Sequence, residues 1–82
     1  MMQTVPHLDR LTVEADKLGG QECIRGYRFT VEQLLDLLAQ GWTLEQVQAD
    51  FPFIEPDDLR QSFRYAATLA RREIYVPLQE PA

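Results

Sequence analysis

The stretch that decides the fold reads Gly19-Gly20-Gln21-Glu22-Cys23-Ile24-Arg25-Gly26-Tyr27-Arg28-Phe29-Thr30-Val31. Its glycines mark positions where the backbone takes positive φ or passes close to another segment. Between them, Cys23-Ile24 is a short apolar run that suits a strand. The chain before this stretch is typical of extended structure and the chain after it is typical of helix, so the stretch joins the two.

On the N-terminal side, residues 8–29 predict a small β ribbon. Leu11 and Val13 share one face of a strand while Thr12 lies on the other, which is the alternation of a half-buried strand. The glycines then let the chain reverse. We therefore expect residues 11–13 to pair with residues 23–25 in antiparallel order.

A ribbon of two short strands is not stable by itself. It must lie on the helices, or be completed by the same ribbon of a second subunit. A chain of 82 residues also buries only about 60–65% of the surface that its unfolded form exposes. For both reasons we expect a homodimer, with the ribbon as a candidate interface.

Two capping boxes predict the first two helices. Thr30 is followed at the third position by Gln33, a spacing that satisfies two backbone N–H groups at a helix start, and Thr43 and Gln46 repeat it. Gly41 supplies the left-handed residue that ends the first helix. The predicted helices, with their buried stripes, are residues 30–40 with Val31, Leu34, Leu35 and Leu38, and residues 44–50 with Leu44, Val47 and Phe51.

A third helix is predicted over residues 56–75. Pro56 suits its first turn, and Asp57 and Asp58 lie near the positive end of the helix dipole. Its apolar residues fall on two roughly opposite sides. The arc expected to face the first two helices holds Leu59, Phe63, Ala66, Ala67, Ala70 and Ile74. The second stripe, which needs another partner, holds Tyr65, Leu69 and Val76.

These elements predict a mainly α fold, a three-helix helix-turn-helix bundle with a short N-terminal β ribbon. The chain is expected to form a single domain over residues 8–76. Residues 1–7 are expected to be a flexible leader, and residues 77–82, which follow Pro77, a flexible tail.

The net charge is −5 and the pI about 4.6. This balance argues against a protein that coats nucleic acid through charge alone, since such domains are usually basic. An acidic surface instead suits a basic partner, such as a ribonuclease that must attract RNA. No segment is typical of a signal peptide or a membrane span. We expect a cytoplasmic protein with no membrane partner.

Catalytic chemistry is not expected from these residues. Cys23 is the one cysteine and His7 the one histidine, so a nucleophile with its base, or a zinc site, lacks the necessary side chains. Cys23 is best explained as a buried structural thiol. We predict no enzyme activity, no metal and no cofactor.

Three residues of the third helix are candidates for DNA contact. Arg60, Gln61 and Arg64 are residue types that bind guanine edges, adenine edges and phosphate. The alternative is that the arginines are solvated or paired with nearby carboxylates.

Arg25 and Arg28 flank Gly26 and could together grip a phosphate or a carboxylate. They could equally form ion pairs within a dimer, for instance with Glu14 or Asp16. We favour the structural role.

The quoted stretch resembles the signature of the domain-of-unknown-function family 433. The resemblance covers roughly residues 8 to 70, and Gln21-Glu22 departs from it, because a basic residue and proline are usual there. Tyr27 and Phe29 also stand where Thr and Ile are usual. The matching segments are Gly19-Gly20, Cys23-Ile24-Arg25-Gly26, Arg28, Thr30-Val31, Gly41-Trp42-Thr43, Asp50-Phe51-Pro52, Pro56-Asp57-Asp58-Leu59 and Tyr65-Ala66-Ala67.

The resemblance implies a homeodomain-like three-helix unit with a small β element. It also implies an antitoxin of a bacterial toxin–antitoxin pair whose toxin is a PIN-like ribonuclease. Our leading hypothesis is a homodimeric antitoxin. It would bind the nuclease through its C-terminal tail and the stripe of Tyr65, Leu69 and Val76, and would bind operator DNA through its helix-turn-helix. The alternatives are a DNA-binding regulator without a toxin partner, and a plain dimerisation module.

Overall fold

The computed structural model describes residues 2–75, with side chains as far as Arg71. Three strands precede three helices in chain order. The prediction of a mainly α, homeodomain-like bundle is wrong. Half of the residues are helical, and a three-stranded antiparallel sheet contains another 20% of the residues. The elements are β1 (Met2–Val5), β2 (Leu8–Glu14), β3 (Cys23–Ile24), α1 (Val31–Ala39), α2 (Leu44–Asp50) and α3 (Pro56–Tyr75).

The predicted ribbon is present, but a third strand completes it. β2 pairs with β3 in antiparallel order, with Leu11 opposite Ile24. β1 pairs with the other edge of β2, with Gln3 opposite Val13, so residues 2–5 are not a flexible leader. This strand and the packing of α3 support the ribbon within one chain. The homodimer therefore loses one of the two reasons that suggested it, the unsupported ribbon, and stays a prediction.

The turn after β3 follows from the glycine of the signature. Arg25 and Gly26 have φ values of 43° and 78°, and the N–H of Tyr27 donates to the carbonyl of Ile24 at 2.8 Å. Two consecutive positive φ angles within such a turn are the geometry of a type I′ hairpin, in which glycine relieves the second position. The turn projects Arg25 towards α3.

The two capping boxes are confirmed. The N–H of Gln33 donates to the Thr30 hydroxyl at 3.0 Å, and the N–H of Gln46 donates to Thr43 at 3.1 Å. Both glutamine side chains return to the capping residue. Gly41, at φ 100°, follows α1 as expected. The three helices begin and end close to the predicted positions, because these stop signals are local.

The core lies where the sheet meets the helices. Thr12 is also buried, although alternation placed it on the outer face, because its hydroxyl accepts from the N–H of Gly26 at 2.8 Å. Phe29 packs on Phe51, with ring centroids 4.5 Å apart. The buried apolar cluster contains Leu8, Leu11, Ile24, Phe29, Val31, Leu34, Val47 and Ile54.

The predicted core arc of α3 is wrong for three of its six members. Phe63 is 52% exposed, and Ala67 and Ala70 are exposed too, whereas Asp58 and Ser62 have no exposed surface. The helix is rotated so that a polar side faces the sheet, where distant partners satisfy it. The pattern of apolar residues alone therefore predicted the wrong buried side of α3. The Ile74 side chain lies outside the described part of the chain.

Candidate functional site

Tyr65 and Leu69, the predicted partner stripe, line a groove between α1 and the second half of α3. Its volume is about 470 Å³. Val76, the third residue of that stripe, and residues 77–82 lie outside the described residues. The groove is lined by Gln21, Glu22, Thr30, Val31, Glu32, Leu35, Asp36, Ala39, Tyr65, Ala66 and Leu69.

The floor of the groove is apolar. Val31 is buried and Leu35 half-buried on α1, while Leu69 on α3 is 42% exposed. Leucine at this exposure, beside other apolar side chains, leaves area that a partner can remove from water. Two of its lining residues, Ala39 on α1 and Ala66 on α3, are small and leave space between the helices.

A hydrogen bond closes one end of the groove. The Tyr65 hydroxyl donates to Oε2 of Glu22 at 2.6 Å. Burial, together with this carboxylate, raises the pKa of Tyr65 to about 12, so the phenol remains protonated and the bond persists at neutral pH. Glu22 thereby anchors the loop before α1 to α3.

The rim of the groove is acidic. Glu22, Glu32 and Asp36 lie along it, and among the described lining residues there is no lysine or arginine. Gln21 donates to Glu32 at 3.3 Å and Gln40 donates to Asp36 at 2.9 Å. These amides orient the carboxylates without neutralising them. The groove therefore has an apolar floor and a negatively charged rim.

The three candidate DNA-contacting residues are not presented together. Gln61 is held by β2, since its side chain accepts from the N–H of Arg10 at 2.9 Å and donates to Asp9 at 2.8 Å. Arg60 pairs with Asp57 at 2.6 Å, and Arg64 is exposed. DNA binding through this helix stays a prediction, and one of its three side chains is already engaged in the fold.

Arg25 has a structural partner that the sequence reading did not foresee. Its Nε and Nη2 donate to the two carboxylate oxygens of Asp58, both at 2.9 Å, and Nη2 also donates to the carbonyl of Phe53. Glu14, proposed as a partner, instead lies 3.4 Å from Lys17. Arg28 is exposed.

Asp58 is the centre of this ion cluster. Besides Arg25, it accepts from Arg10 at 3.0 Å and from the backbone N–H of Glu55 at 2.8 Å. Burial acts to raise the pKa of Asp58, but the donors from Arg25, Glu55 and Arg10 outweigh it and hold the pKa below the ordinary value. The cluster ties β2, the turn and α3 together. No local pattern identified Arg10 as a member.

Other candidate chemistry is sparse in the described region. Cys23 is buried, and burial raises the pKa of its thiol, as expected of a structural residue. Among the side chains described, those of residues 2–71, no group of three or more His, Cys, Asp and Glu could hold a metal ion. Nor does this part of the chain contain a helix long and apolar enough to cross a bilayer.

Comparison with known proteins gives one match. The model of a family described as "Protein of unknown function (DUF433)" matches residues 11–66. No curated protein and no solved structure matches the chain. The matched region contains the second half of β2, all of β3, α1 and α2, and the first half of α3. It includes Asp58 and Arg25 and most of the groove, whereas Arg10 precedes it.

Proposed function

The chain belongs to the DUF433 family, and from that premise we propose that it is an antitoxin-like protein that binds and neutralises a PIN-like ribonuclease. The protein itself carries out no catalysis. It acts in the cytoplasm by covering nuclease surface that would otherwise receive RNA.

The observation that carries this proposal is the groove between α1 and α3. It contains two residues, Tyr65 and Leu69, that the sequence marked as an apolar stripe needing a partner. Leu69 keeps 42% of its surface exposed in the isolated chain. Apolar pockets of this kind seat the anchor residues that dominate protein interfaces, with a larger and more polar contact around them.

The charge of the molecule favours a basic protein partner over a nucleic acid. The net charge is −5, and the groove adds a local acidic rim at Glu22, Glu32 and Asp36. A nuclease that attracts RNA presents positive charge around its active site, and an acidic inhibitor is drawn to that region. Binding there excludes RNA both by volume and by charge.

The proposal is tested with a PIN-like nuclease expressed together with this protein. The two chains are coexpressed with an affinity tag on the nuclease, and copurification and cleavage of a labelled RNA are measured. We expect a stable complex with suppressed RNA cleavage. A nuclease that stays unbound and fully active would refute the proposal.

A matched pair of variants locates the contact. Leu69→Asp changes an apolar residue that is 42% exposed in the groove, and Phe63→Asp changes one that is 52% exposed and does not line the groove. Both introduce the same charge at exposed positions of one helix. We expect Leu69→Asp to abolish copurification and to restore RNA cleavage, and Phe63→Asp to retain inhibition. The reverse result would place the interface on the other face of α3.

A further inference from the structure

We infer that the groove between α1 and α3 receives an amphipathic helix of the nuclease, whose apolar side chains contact the floor and whose Lys or Arg side chains pair with Glu32 and Asp36. This inference rests on the proposed function and specifies the segment that the site recognises.

The shape of the groove selects a helix. Its α1 wall is formed by Val31, Leu35 and Ala39, which recur every fourth residue and so span about 12 Å, or two helical turns. The opposite wall is α3. A trough between two helices accepts a third through apolar side chains spaced one turn apart. Ala39 and Ala66 allow its backbone to approach closely.

The charge of the rim determines which side chains flank that apolar row. Glu32 and Asp36 are one turn apart on α1, exposed, and adjacent to the row that lines the groove. Cations one turn apart on the incoming helix would meet both carboxylates. Glu22 is committed to Tyr65 at the end of the groove. An acidic or neutral helix would lack this pairing.

Other occupants match the rim less well. Residues 76–82 of this chain contain Glu80 and no lysine or arginine, so they offer no cation for Glu32 or Asp36. A second copy carries the same net charge of −5 and the same acidic rim, which oppose its binding in this groove. A nucleic acid would place phosphates against the acidic rim.

The first experiment reverses the charge of the rim. The variant Glu32→Lys/Asp36→Lys is compared with Glu45→Lys/Asp50→Lys, which changes two exposed carboxylates of α2 outside this groove. Glu32 and Glu45 both lie in the first turn of their helices, so the two variants change the net charge equally and share one substitution near a helix start. Thermal unfolding by circular dichroism verifies that both are folded.

Association with the nuclease is measured by surface plasmon resonance between about 50 and about 200 mM NaCl. We expect the rim variant to associate at least about tenfold more slowly at low salt and to lose most of its salt dependence, and the α2 variant to stay within about twofold of the unmodified chain. Equal behaviour of the two variants, with the unmodified chain binding, would overturn this inference and leave the proposed function standing. No binding by the unmodified chain would overturn both.

The second experiment identifies the occupant directly. Benzoylphenylalanine replaces Leu69, an exposed groove residue, in the full chain, and the complex with the nuclease is irradiated and digested for mass spectrometry. We expect the crosslinked peptide to come from a helix of the nuclease that carries Lys or Arg beside its apolar stripe. A crosslink to residues 76–82, to a second copy, or to an acidic or extended nuclease segment would overturn the inference.

Discussion

Replacing Asp58 by asparagine removes the charge at the centre of the ion cluster while keeping the shape of the side chain. The carboxylate has no exposed surface, and it accepts from Arg25, from Arg10 and from the N–H of Glu55. An asparagine oxygen can still cap Glu55, but its amide nitrogen faces a guanidinium. Both arginines then lose their buried counter-charge.

The expected loss of stability in Asp58→Asn follows from the burial of the Asp58 carboxylate. Breaking a buried ion pair from one side costs about 3–5 kcal/mol. The side chains of Arg10 and Arg25 are 26% and 27% exposed and can turn partly towards water, so we expect the lower end, about 3 kcal/mol. For a domain of this size, that loss lowers the melting temperature by about 12–24 °C. The total stability of such a domain is only about 4–12 kcal/mol.

Urea denaturation and thermal melts followed by circular dichroism measure the effect. Asp57→Asn is the matched control, because Asp57 is the preceding residue of α3 and is 46% exposed. It pairs with Arg60, which is 70% exposed, at 2.6 Å, and with Arg10 only at 3.9 Å. An exposed pair contributes less than about 1 kcal/mol. Equal losses in the two variants, or a loss below about 1 kcal/mol for Asp58→Asn, would refute the assignment of the cluster as a structural centre.

Asp58 also makes the stability of the fold depend on pH. The pKa of Asp58 is lower in the folded protein than in the unfolded chain, so the unfolded chain takes up the proton first as pH falls. The contribution of Asp58 is therefore complete above the ordinary value of 3.8 and is lost as pH falls below it. We expect the stability difference between the unmodified chain and Asp58→Asn to shrink below that pH. A constant difference down to strongly acid pH would contradict this reasoning.

Three further predictions concern individual positions. Thr30→Ala removes the cap of α1 and should cost about 1 kcal/mol in urea denaturation, whereas an unchanged midpoint would show that the capping box is dispensable. Phe63→Gln should change stability by less than about 0.5 kcal/mol, because the side chain is 52% exposed; a loss above about 2 kcal/mol would mean that Phe63 is buried, for example in the predicted homodimer. If the chain binds operator DNA through α3, Arg64→Ala should reduce the salt slope of binding by about one unit, and an unaltered slope would remove Arg64 from the interface.

The sequence alone was sufficient to predict features whose hydrogen bonds join residues only a few positions apart. Thr30 with Gln33, and Thr43 with Gln46, specify two helix starts, and Gly41 the end between them. The pairing of β2 with β3 was also foreseen, because one reversal brings the two segments together. Such signals do not depend on residues distant in the sequence, and this is why the predicted helix bounds agree with the structure.

The tertiary structure alone decided which side of α3 is buried. Asp58 pairs with Arg10 and Arg25, which are 48 and 33 residues away, and no local pattern connects them. A polar residue can occupy the interior only when such partners are present. Once Asp58 faces inward, the rotation of the helix is set: Phe63 is left in solvent, and Tyr65 and Leu69 turn towards α1. The apolar periodicity of α3 marked Tyr65 and Leu69 as a separate stripe, but only the long-range ion pairing determined that this stripe faces α1 and forms the groove with it.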